Sequence, residues 1–161
     1  MHSSIFSTRN DAINVSHIVY VSPLWVIPKE KRADLNTHMF KIVTSLGATY
    51  CRYYSLEAAR KARGALYAMM REAMPNMYTH DLAMFDPARV VSIGSVFELS
   101  NPIDDRTHAI SITLDTADEK HSHVMLRYKS EDNARRGRRI LWAVVGAAYD
   151  SLATTNEEDG N

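Results

Sequence analysis

The feature that most constrains this chain is a resemblance between two of its own segments. Residues 51–73, CRYYSLEAARKARGALYAMMREA, align without a gap on residues 126–148, LRYKSEDNARRGRRILWAVVGAA. Nine of the twenty-three positions are identical; among the others Lys61 faces Arg136, Glu57 faces Asp132 and Tyr67 faces Trp142. Upstream, Thr37-His38 faces Thr107-His108 at a slightly shorter offset, as a hairpin loop about five residues longer in the second copy would require. Two unrelated amphipathic helices share apolar spacing. They do not also share an Arg-Tyr pair, a serine cap and an upstream strand. The expectation is an internal duplication.

Each copy reads as β-β-β-α. Ser55 and Ser130 stand where a hydroxyl caps a helix, with Glu57 and Asp132 in the first turn, on the favourable side of the helix dipole. Apolar residues follow at Ala59, Ala62, Leu66, Met70 and Ala73, and at Ala134, Gly137, Leu141, Val145 and Ala148, which is one face of a helix. Before each helix a strand alternates: Cys51 and Tyr53 point inward with Arg52 outward, and Val124, Leu126 and Tyr128 inward with Arg127 outward. An earlier strand carries His38, Phe40 and Ile42, or His108, Ile110 and Ile112, on one face. The first strands are expected over 17–21 and 89–99. In the latter Val91, Ile93, Phe97 and Leu99 share a face, and Gly94 marks a bend or bulge.

The predicted organisation is a flexible N-terminus (1–13), repeat one (14–74), a connector (75–88), repeat two (89–153) and a disordered acidic tail (154–161). The fold class is α+β: two β-β-β-α units forming one compact pseudo-twofold domain, with antiparallel sheets and two long amphipathic helices.

Composition excludes several functions. The net charge is zero, so no whole-molecule attraction to nucleic acid or anionic lipid is expected. The single cysteine, Cys51, excludes an intrachain disulfide and fits a reducing compartment, hence a cytoplasmic protein. No apolar run is long enough to span a bilayer, so no membrane partner is expected. There is no P-loop, no dinucleotide fingerprint and no nucleophile elbow; no catalytic residue, cofactor or metal is assigned. His121 and His123 lack acidic or thiol partners at ligand spacing. His38 and His108 recur in both copies, but not in the His-x-Ser/Thr pattern of two-histidine phosphoesterases.

Two candidate surfaces remain. Arg60, Lys61 and Arg63 match Arg135, Arg136 and Arg138, with Arg139, Arg52 and Arg127 beside them. Such paired basic faces suit a polyanion held through its phosphates. Met74, Met77, Tyr78, Met84 and Phe85 concentrate apolar surface in the connector and suit a protein contact. The first expectation is a non-enzymatic module binding a protein partner or itself, such as a small accessory or inhibitory protein of a virus or mobile element. The alternatives are nucleic-acid binding through the basic faces, and a small enzyme with its site at the junction of the copies.

Overall fold

A computed structural model describes residues 5–158, with side chains placed for 5–152. The chain is α+β, with antiparallel sheets and two long helices, and it divides into two compact units. One holds the residues up to Asp86 together with Thr116–Asp118. The other holds Pro87–Asp115 and the chain from Glu119.

The first unit opens with a hairpin, β1 (Ile5–Ser7) and β2 (Ala12–Asn14), whose Phe6 and Ile13 are buried in the core. The expectation of a loose N-terminus is corrected here: the alternating Ile-Phe and Ala-Ile pairs give the segment an apolar face. Residues 1–4 lie outside the described residues. A 3-10 turn (Val15–His17) leads into β3 (Ile18–Val21), β4 (Trp25–Val26), β5 (His38–Thr44) and β6 (Gly47–Tyr53). Helix α1 (Leu56–Ala73) follows, capped by Ser55 accepting from the Ala58 amide at 3.1 Å. The stretch expected to be a connector is a second hairpin, β7 (Tyr78–His80) and β8 (Ala83–Phe85), and β8 pairs with β3. The sheet therefore runs from β6 through β5, then β3 with β4, to β8 and β7. Phe40, Ile42, Cys51, Leu66 and Met70 fill the space between sheet and helix.

The second unit begins with a 3-10 turn (Pro87–Arg89) and continues as β9 (Val90–Ile103), β10 (Arg106–Leu114), β11 (His123–Tyr128) and α2 (Glu131–Glu158). Its sheet has the order β11-β10-β9, so β9 is an edge strand. Ser130 caps α2 by accepting from the Asn133 amide at 3.1 Å. Backbone helix extends through Glu158, into the tail expected to be disordered; residues 159–161 lie outside the described residues. Asp104 and Asp105 both adopt positive φ, 49° and 64°, and make the two-residue turn between β9 and β10. That pair of acids is a hairpin turn, a conformation Asp tolerates better than most residues.

Strand registers within the two units run in parallel. Ile18, Tyr20 and Val21 lie opposite Thr44, Val43 and Ile42; Val90, Ser92 and Ile93 lie opposite Leu114, Thr113 and Ile112. Trp25 and Val26 face Met39 and His38, as Phe97 and Glu98 face Ala109 and His108. His38, Met39 and Phe40 face Tyr53, Arg52 and Cys51, as His108, Ala109 and Ile110 face Tyr128, Arg127 and Leu126. Between these pairs the strand carries one residue more than its neighbour: Ser22-Pro23-Leu24 against Phe40-Lys41 in one unit and Gly94-Ser95-Val96 against Ile110-Ser111 in the other. Pro23, with no amide hydrogen to donate, splits the first unit's strand into β3 and β4. Gly94 keeps β9 continuous: a Cβ there would stand 3.0 Å from the Ser111 carbonyl oxygen.

The bulge corrects the alternation expected for β9. Ile93 and Val96 share the face of Ile112 and Ile110, whereas Phe97 pairs with Ala109 on the opposite face and Val91 is 63% exposed. An extra residue reverses every side chain beyond it.

Candidate functional site

Contacts inside each unit account for two of the nine predicted polyanion contacts. Arg63 is only 6% exposed. Its Nε donates to the Ser22 carbonyl at 3.1 Å, its guanidinium also donates to the Tyr67 hydroxyl, and it lies 4.4 Å from the centre of the Tyr67 ring. Tyr67 in turn donates to the Leu82 carbonyl at 2.5 Å. In the other unit Nε of Arg138 donates to the Gly94 carbonyl at 2.8 Å, and the guanidinium lies 5.1 Å from the Trp142 ring centre. The Gly94 carbonyl belongs to a bulge, and the Ser22 carbonyl lies in the break between β3 and β4, where the Lys41 amide donates to the Ser22 hydroxyl instead; a helix arginine satisfies each. The expectation that Arg63 lies on a solvated basic face is thus corrected. The signal was in the sequence: Ala59, Arg63, Leu66 and Met70 have the core spacing, as do Ala134, Arg138, Leu141 and Val145.

The other predicted cations are dispersed. Arg135 is held by Glu131 at 2.6 Å, and this hydrogen bond and charge hold the Glu131 carboxyl below its ordinary range. Arg52, Arg60, Lys61, Arg136 and Arg139 are exposed, and Arg127 is half-buried. In the second unit Arg135, Arg138 and Arg139 line a 340 Å³ cleft with Ser95 and Val96.

The predicted protein-contact residues are not an exposed patch. Met84 and Phe85 are buried in β8, Met77 packs on the core, and Tyr78 lies 5.2 Å from Phe85, ring centre to ring centre; Met74 is half-buried at the end of α1. They are placed by β8 joining β3, a pairing that no local pattern announces.

The two histidines sit in the same local arrangement. Thr37 Oγ1 donates to the Tyr54 carbonyl at 3.0 Å and lies 2.8 Å from His38 Nδ1. Thr107 Oγ1 donates to the Lys129 carbonyl at 3.1 Å and lies 2.8 Å from His108 Nδ1. A threonine hydroxyl has one hydrogen, so in each case Nδ1–H is the donor to the threonine oxygen and Nε2 is the basic nitrogen. These relays fix strand ends against the turn into the helix. Among the described residues no group of His, Cys, Asp or Glu could hold a metal.

The first unit carries a polar cleft of 490 Å³ lined by Arg9, Asp11, Asp34, Cys51 and Arg52 among others. Cys51 is the nucleophile type in it, but burial, aided by the Asp11 charge, pushes its thiol up to about 12. A thiol so shifted is protonated at neutral pH and a poor nucleophile. Ellman's reagent at pH 8 is expected to titrate no thiol in the folded chain and one after denaturation in urea. Fast labelling of the native protein would show that Cys51 is open and ionisable. The shift also predicts a pH dependence. Cys51 binds its proton more tightly when folded, so its stabilising effect is complete below about 9 and is lost as pH rises towards about 12. Tyr53 and Tyr67, both pushed up by burial from 10.0 to about 12, act in the same direction over that upper range. The urea midpoint should therefore fall between pH 9 and 12, and Cys51→Ala should shift the onset upward.

An open apolar groove lies in the second unit, between the start of β9 and the middle of α2. A groove of 340 Å³ is lined by Val91, Ile93, Trp142, Val145, Gly146 and Tyr149, with Val90 and Ser92 completing its strand wall. Val91 is 63%, Trp142 59% and Tyr149 46% exposed. The Tyr149 hydroxyl donates to the Val90 carbonyl at 2.7 Å and closes one end. Val91, Gly146 and Tyr149 were missed, because a groove against an edge strand depends on which strand is at the edge. Among the described residues no helix is long and apolar enough to cross a membrane. No family model, no curated protein and no solved structure matches this chain.

Proposed function

We propose that this chain is a non-enzymatic interaction module that binds a protein partner, built from a duplicated β-β-β-α unit whose second copy carries the binding surface. Support for the duplication comes from the matched strand registers and from the matched interruptions of the strand, a break in one unit and a bulge in the other, where a helix arginine holds the freed carbonyl. The observation that carries the binding reading is the exposed apolar groove beside the edge strand β9. Monomers seldom leave an aromatic-lined groove next to an unprotected strand edge without a use for it, since both invite association. A nucleic-acid reading draws on the adjoining cleft of Arg135, Arg138 and Arg139, but two of these are already engaged by Gly94 and Glu131.

The test is capture from host lysate on the immobilised full chain, with and without nuclease. The expected result is a stoichiometric protein partner retained after nuclease treatment and in 0.5 M salt, since the contact is apolar (about 0.5 M brings the Debye length well below 10 Å). Capture that disappears with nuclease, or with that salt, would turn the assignment to a polyanion.

A further inference from the structure

We infer that the groove on the second unit is a seat for an extended β-segment of the partner protein, one that pairs antiparallel with β9 and carries an acidic residue just before its apolar residues. The inference rests on the protein-binding reading and deepens it. The first unit shows what such a seat holds. There β8 pairs with β3, Phe85 opposite Tyr20 and Met84 opposite Val21, and the Asp86 amide donates to the Val19 carbonyl at 2.9 Å. Met84 belongs to the same buried cluster as Val21 and Met70, and Tyr67 holds the Leu82 carbonyl.

The same positions in the second unit are Ser92 and Ile93, fixed by their pairing with Thr113 and Ile112, just as Tyr20 and Val21 pair with Val43 and Ile42. On the helix, Trp142 follows the bulge-binding Arg138 by four residues, as Tyr67 follows Arg63, so Val145 answers to Met70. Ile93, Trp142 and Val145 are among the groove's lining residues. Among the described residues no strand pairs with the outer edge of β9. An added strand would gain main-chain hydrogen bonds from the edge and bury one apolar side chain between Ile93 and Val145.

Direction and charge follow from the register. In a segment running antiparallel to β9, the residues before the apolar pair lie towards Gly94–Val96, where the cleft of Arg135, Arg138 and Arg139 opens. An acidic residue there meets exposed Arg139. The chain's own β7–β8 turn has that order, Asp81-Leu82-Ala83-Met84-Phe85.

A capped, fluorescein-labelled peptide of residues 79–86, THDLAMFD, is the probe, titrated into the full chain by anisotropy. Gly146→Phe is the blocking variant. A Cβ at Gly146 meets nothing within 4 Å, so a large side chain there fills the groove and not the core. The expected result is saturable binding, weakened about tenfold or more by Gly146→Phe with an unchanged circular dichroism spectrum. Arg139→Glu should weaken it by roughly fivefold, and a peptide with Asp81→Lys should recover the loss on that variant. No saturable binding to the wild-type chain, or equal binding to Gly146→Phe, overturns the seat; the protein-binding reading falls separately, if the lysate capture returns no nuclease-resistant protein. A chain that is dimeric by light scattering and made monomeric by Gly146→Phe also overturns it, since the occupant is then a second copy.

Discussion

Gly137→Leu is expected to destabilise the second unit by about 3 kcal/mol, against the usual direction for a helical glycine. In an ordinary helix interior, replacing glycine with alanine gains roughly 1 kcal/mol by restricting the unfolded chain. Here a Cβ would stand 2.5 Å from both Cε1 and the hydroxyl oxygen of Tyr128, and 2.6 Å from its Cζ. Tyr128 is itself buried at the end of β11, so its ring cannot swing into solvent without exposing its apolar area. Overpacking of this kind costs about 1–3 kcal/mol, and a branched side chain falls at the upper end. The two tryptophans separate the units: Trp25 reports on the first and Trp142 on the second. In a Trp25→Phe background, urea unfolding followed by fluorescence should show the loss in the Trp142 transition. With Tyr128→Leu the clash is gone, and Gly137→Ala should then stabilise rather than destabilise. A Gly137→Ala effect that keeps its sign in both backgrounds would show that the helix and strand do not approach as described.

Arg63→Ala is expected to cost the first unit about 3 kcal/mol, while Arg60→Ala and Lys61→Ala leave its unfolding midpoint where it was. The difference is burial. Removing Arg63 takes the donor from the Ser22 carbonyl and one of the two partners of the Tyr67 hydroxyl; a buried polar group left unpaired costs about 1–3 kcal/mol, and the cavity adds to it. Burial also pushes the Arg63 pKa down, yet a guanidinium starts so high that it stays charged. Arg63→Lys should restore little, because an ammonium cannot span carbonyl and hydroxyl while lying over the Tyr67 ring. The half-buried Arg138 should show a smaller loss on substitution with alanine. If Arg60→Ala and Arg63→Ala proved equally mild, the arginine would be a surface cation after all. The matched arginines of the two segments would then point to a ligand and not to the fold.

Much of the fold was legible from the chain. The period-two alternation of Cys51 and Tyr53, or of Val124, Leu126 and Tyr128, depends on neighbours along one strand, and these side chains fall where alternation puts them. Ser55 and Ser130 cap their helices through amides three residues away. The pattern of residues 51–73 and 126–148 anticipated a strand running through a serine cap into a long amphipathic helix in each. These are short-range facts, and a sequence holds them directly.

Long-range pairing decided the rest. Whether Met84 and Phe85 are surface or core depends on β8 finding β3, some sixty residues earlier, and nothing within the segment selects that partner. Whether an arginine of a helix is solvated or stapled depends on a carbonyl released by a break or a bulge in a distant strand. The alignment of the two segments set Arg63 opposite Arg138 and Tyr67 opposite Trp142. Only the tertiary structure decided that the first pair satisfies the backbone. It also decided that Tyr67 is covered by the chain's own hairpin, while Trp142 lines a groove beside an edge strand. The physical reason is that a strand edge is satisfied by whatever strand reaches it, and in the second unit no described strand of this chain does.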